Sequence, residues 1–353
     1  MARLFRVIDT GLRDGRRNIA FDQALIEARR SGAIPDTIRF LRFLPTALVG
    51  RHQALSREIN LDYCRAHGIG LARRITGGGA IYFDENQLGW ELVFHRATLG
   101  IASLAELTRA ICEAAAAGLS ELGVEARYRP RNDIEVGGRK LCGTGGFFEG
   151  DILFFQGTLL LATDPAQIAA ALRVAQPKLA KRALDSAAQR VVTLKELLGA
   201  TPDLESVRQA LLAGFARHLG IVPVAGSVTE EEEALAARLH DEEIGLDAFV
   251  AEIEEPAPGE DVFAASHTGA GGTIHACVRL AGRDRIREVL ITGDFFVTPP
   301  RLVYDLEAAL REVPVAEAGE RVERFFSQAR AELLSAAPAD FRKAIEAALA
   351  SAR

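Results

Sequence analysis

Several familiar signatures are missing from this chain, and each omission narrows what it can be. Its four cysteines, Cys64, Cys112, Cys142 and Cys277, form no C-x-x-C pair, so a zinc ribbon or a thioredoxin-type motif is excluded. Each lies among apolar neighbours, as buried free thiols do, and a reducing cytoplasm is the expected compartment. No G-x-x-x-x-G-K-[ST] run occurs, which excludes a P-loop. No apolar stretch is long enough to span a membrane, and the charged segment Met1 to Asp14 lacks the apolar run of a signal peptide. Basic residues number 42 against 48 acidic, a formal charge of −6, and no block of like charge makes a nucleic-acid arm. Neither nucleic acid nor a membrane is therefore expected as a partner. The acidic run Glu230 to Glu233 reads as a solvated helix face. Internal repeats and low-complexity segments are absent. Methionine and tryptophan occur once each, a scarcity from which no function follows.

What is present fits a folded chain of one large domain and a smaller one. Of 353 residues, 48% are hydrophobic and 25% charged, an ordinary globular balance. Apolar spacing predicts helices over Asn18 to Gly32 and Ser56 to His67. A capping-box match at Ser103 to Glu106 opens another, running to about Leu122. Strands are predicted over Thr37 to Leu44, Ile69 to Ile75, Ala80 to Phe83, Gly89 to His95, Ile134 to Val136, Lys140 to Leu141 and Ile152 to Leu161. Gly137-Gly138 makes a hairpin turn. Pro165 to Val250 is mostly helical. Glu255-Pro256-Ala257-Pro258-Gly259 is the clearest linker and divides the chain at 1–255 and 256–353. Beyond it come two strands, Ile274 to Leu280 and Ile286 to Thr292, and two or three helices beginning near Arg301. Grouped strands and helices point to an α+β fold.

Three segments carry chemistry. In Arg73-Arg74-Ile75-Thr76-Gly77-Gly78-Gly79-Ala80, consecutive glycines leave backbone N–H groups unshielded, and such a loop can approach a phosphate or carboxylate that Arg74 would neutralise. Asn132-Asp133, at a strand start, suits a hard cation such as Mg²⁺, which takes few carboxylates plus phosphate oxygens; it also reads as an ordinary turn. Lys140 follows Gly137-Gly138-Arg139 and precedes Leu141-Cys142-Gly143-Thr144. On such a strand its compact charge can reach a phosphoryl or carbonyl oxygen. A nearby cluster, Arg127, Arg129 and Arg131, could also meet phosphates.

Together these runs resemble the lipoate–protein ligase A family, within the wider group of biotin and lipoate ligases and octanoyltransferases. The resemblance also includes Asn18 to Asp22, Val49-Gly50-Arg51-His52-Gln53, Phe155 to Leu161 and Lys178 through Leu194. Past the linker it takes in Gly272 to Ala276 and Ile291-Thr292-Gly293-Asp294-Phe295-Phe296, which look like the family's accessory C-terminal domain. The implied fold is a biotin/lipoate-ligase-type catalytic domain of mixed β-sheets flanked by helices, plus a small α/β accessory domain.

The resemblance implies two steps. Lipoate is activated by ATP to lipoyl-AMP, and the lipoyl group then passes to a lysine of an acceptor protein. That acceptor would be a lipoyl domain, the glycine-cleavage H-protein or an H-protein-like lipoate carrier. Lys140 would be the catalytic residue. Arg74, Thr76, Gly77, Gly78, Gly79, Ala80, Gly143, Thr144 and Gln156 would bind the adenylate, and Asn132 and Asp133 would hold Mg²⁺. An apolar tunnel, with residues such as Val49 and Leu71, would take the dithiolane tail. The sequence departs from the family pattern at Phe83 and Gln156, where many relatives carry histidine, and at Cys142, which is often serine. The alternative is a cysteine-type octanoyl or lipoyl transferase that needs no ATP. Its nucleophile would stand just before Asn132, where Arg127-Tyr128-Arg129-Pro130-Arg131 holds no cysteine.

Overall fold

A computed structural model describes residues 2–101, 103–173, 189–282, 284–334 and 336–352. Alternation sets its largest element. In the strand Gln87–His95 every second side chain, Leu88, Trp90, Leu92 and Phe94, enters one core. Gly89, Glu91 and Val93 face the other side. Both faces are covered, so the strand reads as an apolar run and sits near the middle of an eight-stranded mixed sheet.

The strands of that sheet are β1 (Arg3–Arg13), β2 (Thr37–Phe43), β6 (Gln87–His95), β7 (Arg127–Arg129), β8 (Asp133–Val136), β9 (Arg139–Glu149), β10 (Ile152–Leu160) and β11 (Ile221–Ala225), in the order β11-β1-β2-β6-β10-β9-β8-β7. β1 runs parallel to β2 and β11, and the remaining pairs are antiparallel. On one face lie the helices Leu104–Ser120 and Leu204–Leu219. They touch backbone to backbone, with Gly118 against Ala210 and Gly214 against Ala114. On the other face lies Gly15–Ser31, begun by the Asp14 carboxylate accepting from the Arg17 N–H and ended by Gly32 at φ 79°. A smaller sheet, β3 (Thr46–Val49), β4 (Gly70–Arg73) and β5 (Ile81–Phe83), holds the glycine loop between β4 and β5.

Beyond the linker, β12 (Val262–Gly269), β13 (Gly272–Ala281) and β14 (Arg285–Gly293) pack on the helices Leu302–Ala309, Ala318–Gln328 and Pro338–Ala350 around a hydrophobic core of their own. A two-stranded piece, β15 (Phe296–Thr298) with β16 (Glu332–Leu334), lies against the eight-stranded sheet, where the Phe148 N–H donates to Thr298 Oγ1. Among the described residues no helix is long and apolar enough to cross a membrane.

The mixed α+β expectation holds, with local differences. The helix expected over Ser56 to His67 is two short ones, Leu55–Glu58 and Leu61–Ala66. They part where Ile59 bridges to Leu172 and Asn60 caps the second. Ser103 caps its helix by accepting from the Glu106 N–H. The acidic run is not wholly solvated: Glu232 is buried against Arg6 and completes a capping box with Thr229. Strands β1, β3, β7, β11, β12, β15 and β16 were not expected, and β9 is far longer than Lys140 to Leu141. The stretch Lys178 to Leu194, which the resemblance matches to a helix of the family, lies, as far as 188, outside the described residues.

Candidate active site

A cavity of about 670 Å³ opens between the two sheets. The glycine loop forms one wall, and β8, β9 and the turn before them form the other. Of the residues singled out in the sequence, Arg74, Gly77, Gly78, Gly79, Ala80, Asn132, Asp133, Lys140, Gly143, Thr144 and Gln156 all line it. Thr76 is buried behind the wall and accepts from Gln156 Nε2 at 2.9 Å and from Arg74 Nε at 3.3 Å.

Lys140 reaches its place through a bulge. Glu135 pairs with Lys140 and Ile134 with Cys142, so Leu141 is the extra residue. A bulge re-aims the side chains on either side of it, and here it brings Lys140 onto the face of Gly143 and Asp133. Gly143 is glycine for a visible reason: a Cβ there would stand 2.7 Å from Lys140 Cε and Nζ. Lys140 Nζ lies 2.8 Å from Asp133 Oδ1, and Arg129 Nη2 lies 2.5 Å from Asp133 Oδ2. Burial alone would raise the Asp133 carboxyl, but Lys140 and Arg129 together hold it below the usual carboxylate range. The preceding turn carries backbone strain, with Arg131 at φ 92°. Thr144 fixes it by donating from N (2.8 Å) and Oγ1 (2.7 Å) to the Asn132 carbonyl. In return, Asn132 Nδ2 donates to the Thr144 carbonyl.

Arg74 acts differently from the simple anion partner expected. Its guanidinium is buried and donates to the carbonyls of Leu48 (3.3 Å), Gly77 (3.0 Å) and Gly79 (2.9 Å), so it braces the loop from within. Burial pulls it down to about 10, and it remains protonated at neutral pH. The loop itself meets the C-terminal segment. The Gly78 N–H donates to the Phe295 carbonyl at 3.0 Å, and the Phe296 ring lies against both Gly78 and Gly145, where no side chain would fit. Asp294 and Phe296 were quoted as parts of a motif, without a role; they line the cavity.

Asn132 and Asp133 were expected to hold Mg²⁺. Among the described residues no group of three or more His, Cys, Asp or Glu side chains could hold a metal ion. Both Asp133 oxygens face cations, so a divalent ion would bind there by replacing one of those contacts and sharing substrate phosphate oxygens.

No cysteine lines the cavity. Cys142, on β9, and Cys112, on the helix packed behind it, both lie in the core under the sheet, and burial pushes the Cys112 thiol to about 12 and the Cys142 thiol further still. Of the arginine cluster, Arg129 and Arg131 line the cavity, while Arg127 pairs with Glu125 outside it. A narrow apolar void continues inward past Arg74, Ile81, Gln156 and Thr158. Leu48 faces it rather than Val49, and Leu71 is not on its wall.

A glycine loop, a lysine–aspartate pair and an apolar inner void meet in this one region. The chain belongs to the lipoyl protein ligase A/B catalytic domain family, whose model matches residues 14–216. It is 32% identical to the octanoyltransferase LipM of Symbiobacterium thermophilum over 69% of this chain and 96% of that protein. It is 30% identical to lipoate-protein ligase A subunit 1 of Thermoplasma acidophilum over 66% of this chain and 91% of that protein. Among solved structures, a lipoate-protein ligase A bound with ATP superposes with a TM-score of 0.61 at 27% identity, covering 70% of this chain and 98% of that one.

Proposed function

We propose that this chain is an ATP-dependent lipoate–protein ligase of the cytoplasm, making lipoyl-AMP and passing the lipoyl group to a lysine of a lipoyl domain or H-protein-type carrier. One observation carries the choice over its rival. An ATP-independent transferase of this family needs an accessible thiolate to hold the acyl group. Here all four cysteines are buried and none lines the cavity. The similarity to octanoyltransferases keeps the transferase as the second reading.

In the first step a carboxylate oxygen of lipoate attacks the α-phosphorus of ATP, and the bond to the bridging oxygen breaks as pyrophosphate leaves. In the second the acceptor amine attacks the acyl carbonyl, loses a proton and expels AMP. Lys140 serves both. An ammonium has three donors; one is taken by Asp133, and two remain for the acyl carbonyl and phosphate oxygens as charge builds on them. Asp133 keeps the ammonium on the cavity face. Asn132 and Asp133 would hold Mg²⁺, which supplies charge neutralisation to the phosphates. The glycine-loop N–H groups other than that of Gly78, which Phe295 takes, would orient the anion, and Arg74 preserves the loop's shape. Residues 256–353 form an accessory domain whose Phe295–Phe296 turn covers the loop and keeps water from the anhydride.

The test is lipoylation of an apo lipoyl domain. Lipoate with ATP should modify it, and an octanoyl thioester without ATP should not. Modification from the thioester alone, with an acyl-enzyme on a cysteine, would replace this reading with the second.

A further inference from the structure

Of the cations that line the cavity, one is left without work by the chemistry above. Arg74 braces the glycine loop. Asp133 holds both Lys140 and Arg129, and Arg129 also lies 3.4 Å from Glu135. Arg131 lines the same cavity, and among the described residues its guanidinium has neither a carboxylate nor a hydrogen-bond partner. Its charge is therefore available to a ligand.

The backbone that carries this side chain is held in a conformation it would not choose. Arg131 stands at φ 92°, where an L side chain crowds its own backbone and glycine is at ease. Tyr128 Oη donates to the Arg131 carbonyl at 3.3 Å. Thr144 N and Oγ1 both donate to the next carbonyl, that of Asn132, at 2.8 and 2.7 Å. Neighbours from β7 and β9 thus impose the turn from both sides. Other tight turns of the chain use glycine for this purpose, as at Gly123, Gly137 and Gly138. The other departure among the described residues, Glu312 at φ 58°, sits in an exposed turn outside the cavity. Strain at a cavity residue that glycine would relieve points to a use for the side chain.

Adenylation supplies that use. A bond forms between the acid's oxygen and the α-phosphorus, the bond to the bridging oxygen breaks, and pyrophosphate keeps the electron pair. Lys140 serves the acyl and α-phosphate oxygens, so the charge gathering on the leaving group needs a second cation. A guanidinium presents a planar fork that takes two phosphate oxygens at once and stays charged throughout.

We propose that Arg131 is the cation of the leaving group: it grips the pyrophosphate end of ATP, and the strain at this turn is retained because the turn must carry a guanidinium. The inference rests on the cavity being the site of adenylation.

The experiment uses the full-length wild type, Arg131→Gly and Arg131→Gln. It measures lipoate-dependent ATP–pyrophosphate exchange, calorimetric binding of inorganic pyrophosphate with Mg²⁺, and transfer from supplied lipoyl-AMP. Loss of the charge-assisted hydrogen bonds should raise the KM and the calorimetric Kd for pyrophosphate about 10- to 100-fold. Transfer releases no pyrophosphate and should fall by less than about threefold. Arg131→Gly also relieves the strain, so it should melt no lower than the wild type; an arginine that only holds the turn would give lower melting with an unchanged KM. Unchanged pyrophosphate constants in the folded variants overturn the proposal, as does a wild type that binds no pyrophosphate. An equal loss in exchange and transfer overturns it too, and so does a loss confined to the KM for the acceptor protein. If Arg131→Gly does not fold, Arg131→Gln carries the same readings. If the wild type shows no lipoate-dependent exchange, the functional reading has failed, and the calorimetric comparison still tests Arg131.

Discussion

Replacing Lys140 by alanine separates chemistry from stability, because the structure makes the two costs unequal. The backbone around Lys140 is held independently of its side chain: its carbonyl accepts from the Val192 N–H at 2.9 Å, and β9 pairs on both sides. Among the described residues the only charged partner lost is Asp133, which keeps Arg129. The Lys140 side chain is 35% exposed, so solvent screens the pair and its loss costs at most about 1 kcal/mol. That is a fall in melting temperature of about 2–4 °C. Loss of a preorganised donor to the reacting oxygens should instead slow adenylation by about 100-fold or more. Each tenfold is about 1.4 kcal/mol, so the chemical loss is at least about twice the structural one. The assays are single-turnover formation of lipoyl-AMP and a thermal melt of the same variant. Near-wild-type adenylation refutes the role of Lys140. A collapse of the melt would mean that the lysine holds the fold, and the reasoning above would be wrong.

Other expectations follow from the same geometry. Asp133→Asn should weaken Mg²⁺-dependent adenylation while leaving transfer from supplied lipoyl-AMP less affected, and an unchanged Mg²⁺ titration would count against the metal role. Cys142→Ser should retain ATP-dependent ligation, at a stability cost of about 1–3 kcal/mol for burying a hydroxyl; loss of ligation in a folded variant would contradict the structural reading of that thiol. His52 gives a pH dependence. Its ring is stacked on Phe295 at 5.4 Å, neither nitrogen has a hydrogen-bond partner among the described residues, and burial, then Arg51 and Arg73, lower it to about 3. Between about 6.5 and 3 the unfolded chain binds a proton that the folded one does not, so stability falls as pH falls through that window. From pH 6.5 to 5 the loss should be about 2 kcal/mol, at about 1.4 kcal/mol per unit. Urea melts of His52→Phe should be flatter there, and parallel wild-type and variant profiles would refute the assignment.

Much of the site was legible because its chemistry lies in local runs. The glycine loop, Asn132-Asp133 and Lys140 converge because each lies on or beside a strand of one cavity. What the sequence hid depends on register and on distant partners. The bulge at Leu141, which turns Lys140 toward Asp133, is a mismatch between two strands and leaves no local mark. Val49 was expected beside an apolar tunnel, yet Leu48 is the one that faces the inner void, because in a strand one residue reverses the face. Buried Arg39 pairs with Asp22 from a helix and Glu91 from another strand, a grouping that emerges only with the fold. β1 was missed because its pairing with β11 joins Arg3 to Ile221 across most of the chain. The N-terminal helix, by contrast, was plain from its apolar spacing and the stop at Gly32.

The central claim is that this chain activates an acid with ATP rather than passing an acyl group through a thiol. Isotope exchange between pyrophosphate and ATP tests it most directly, since the exchange needs a reversible adenylate and nothing downstream. Purified protein with ATP, Mg²⁺ and labelled pyrophosphate should show exchange that depends on lipoate and is lost in Lys140→Ala. Lipoate-independent background alone, alongside acyl transfer from an octanoyl thioester in the absence of ATP, would contradict the account.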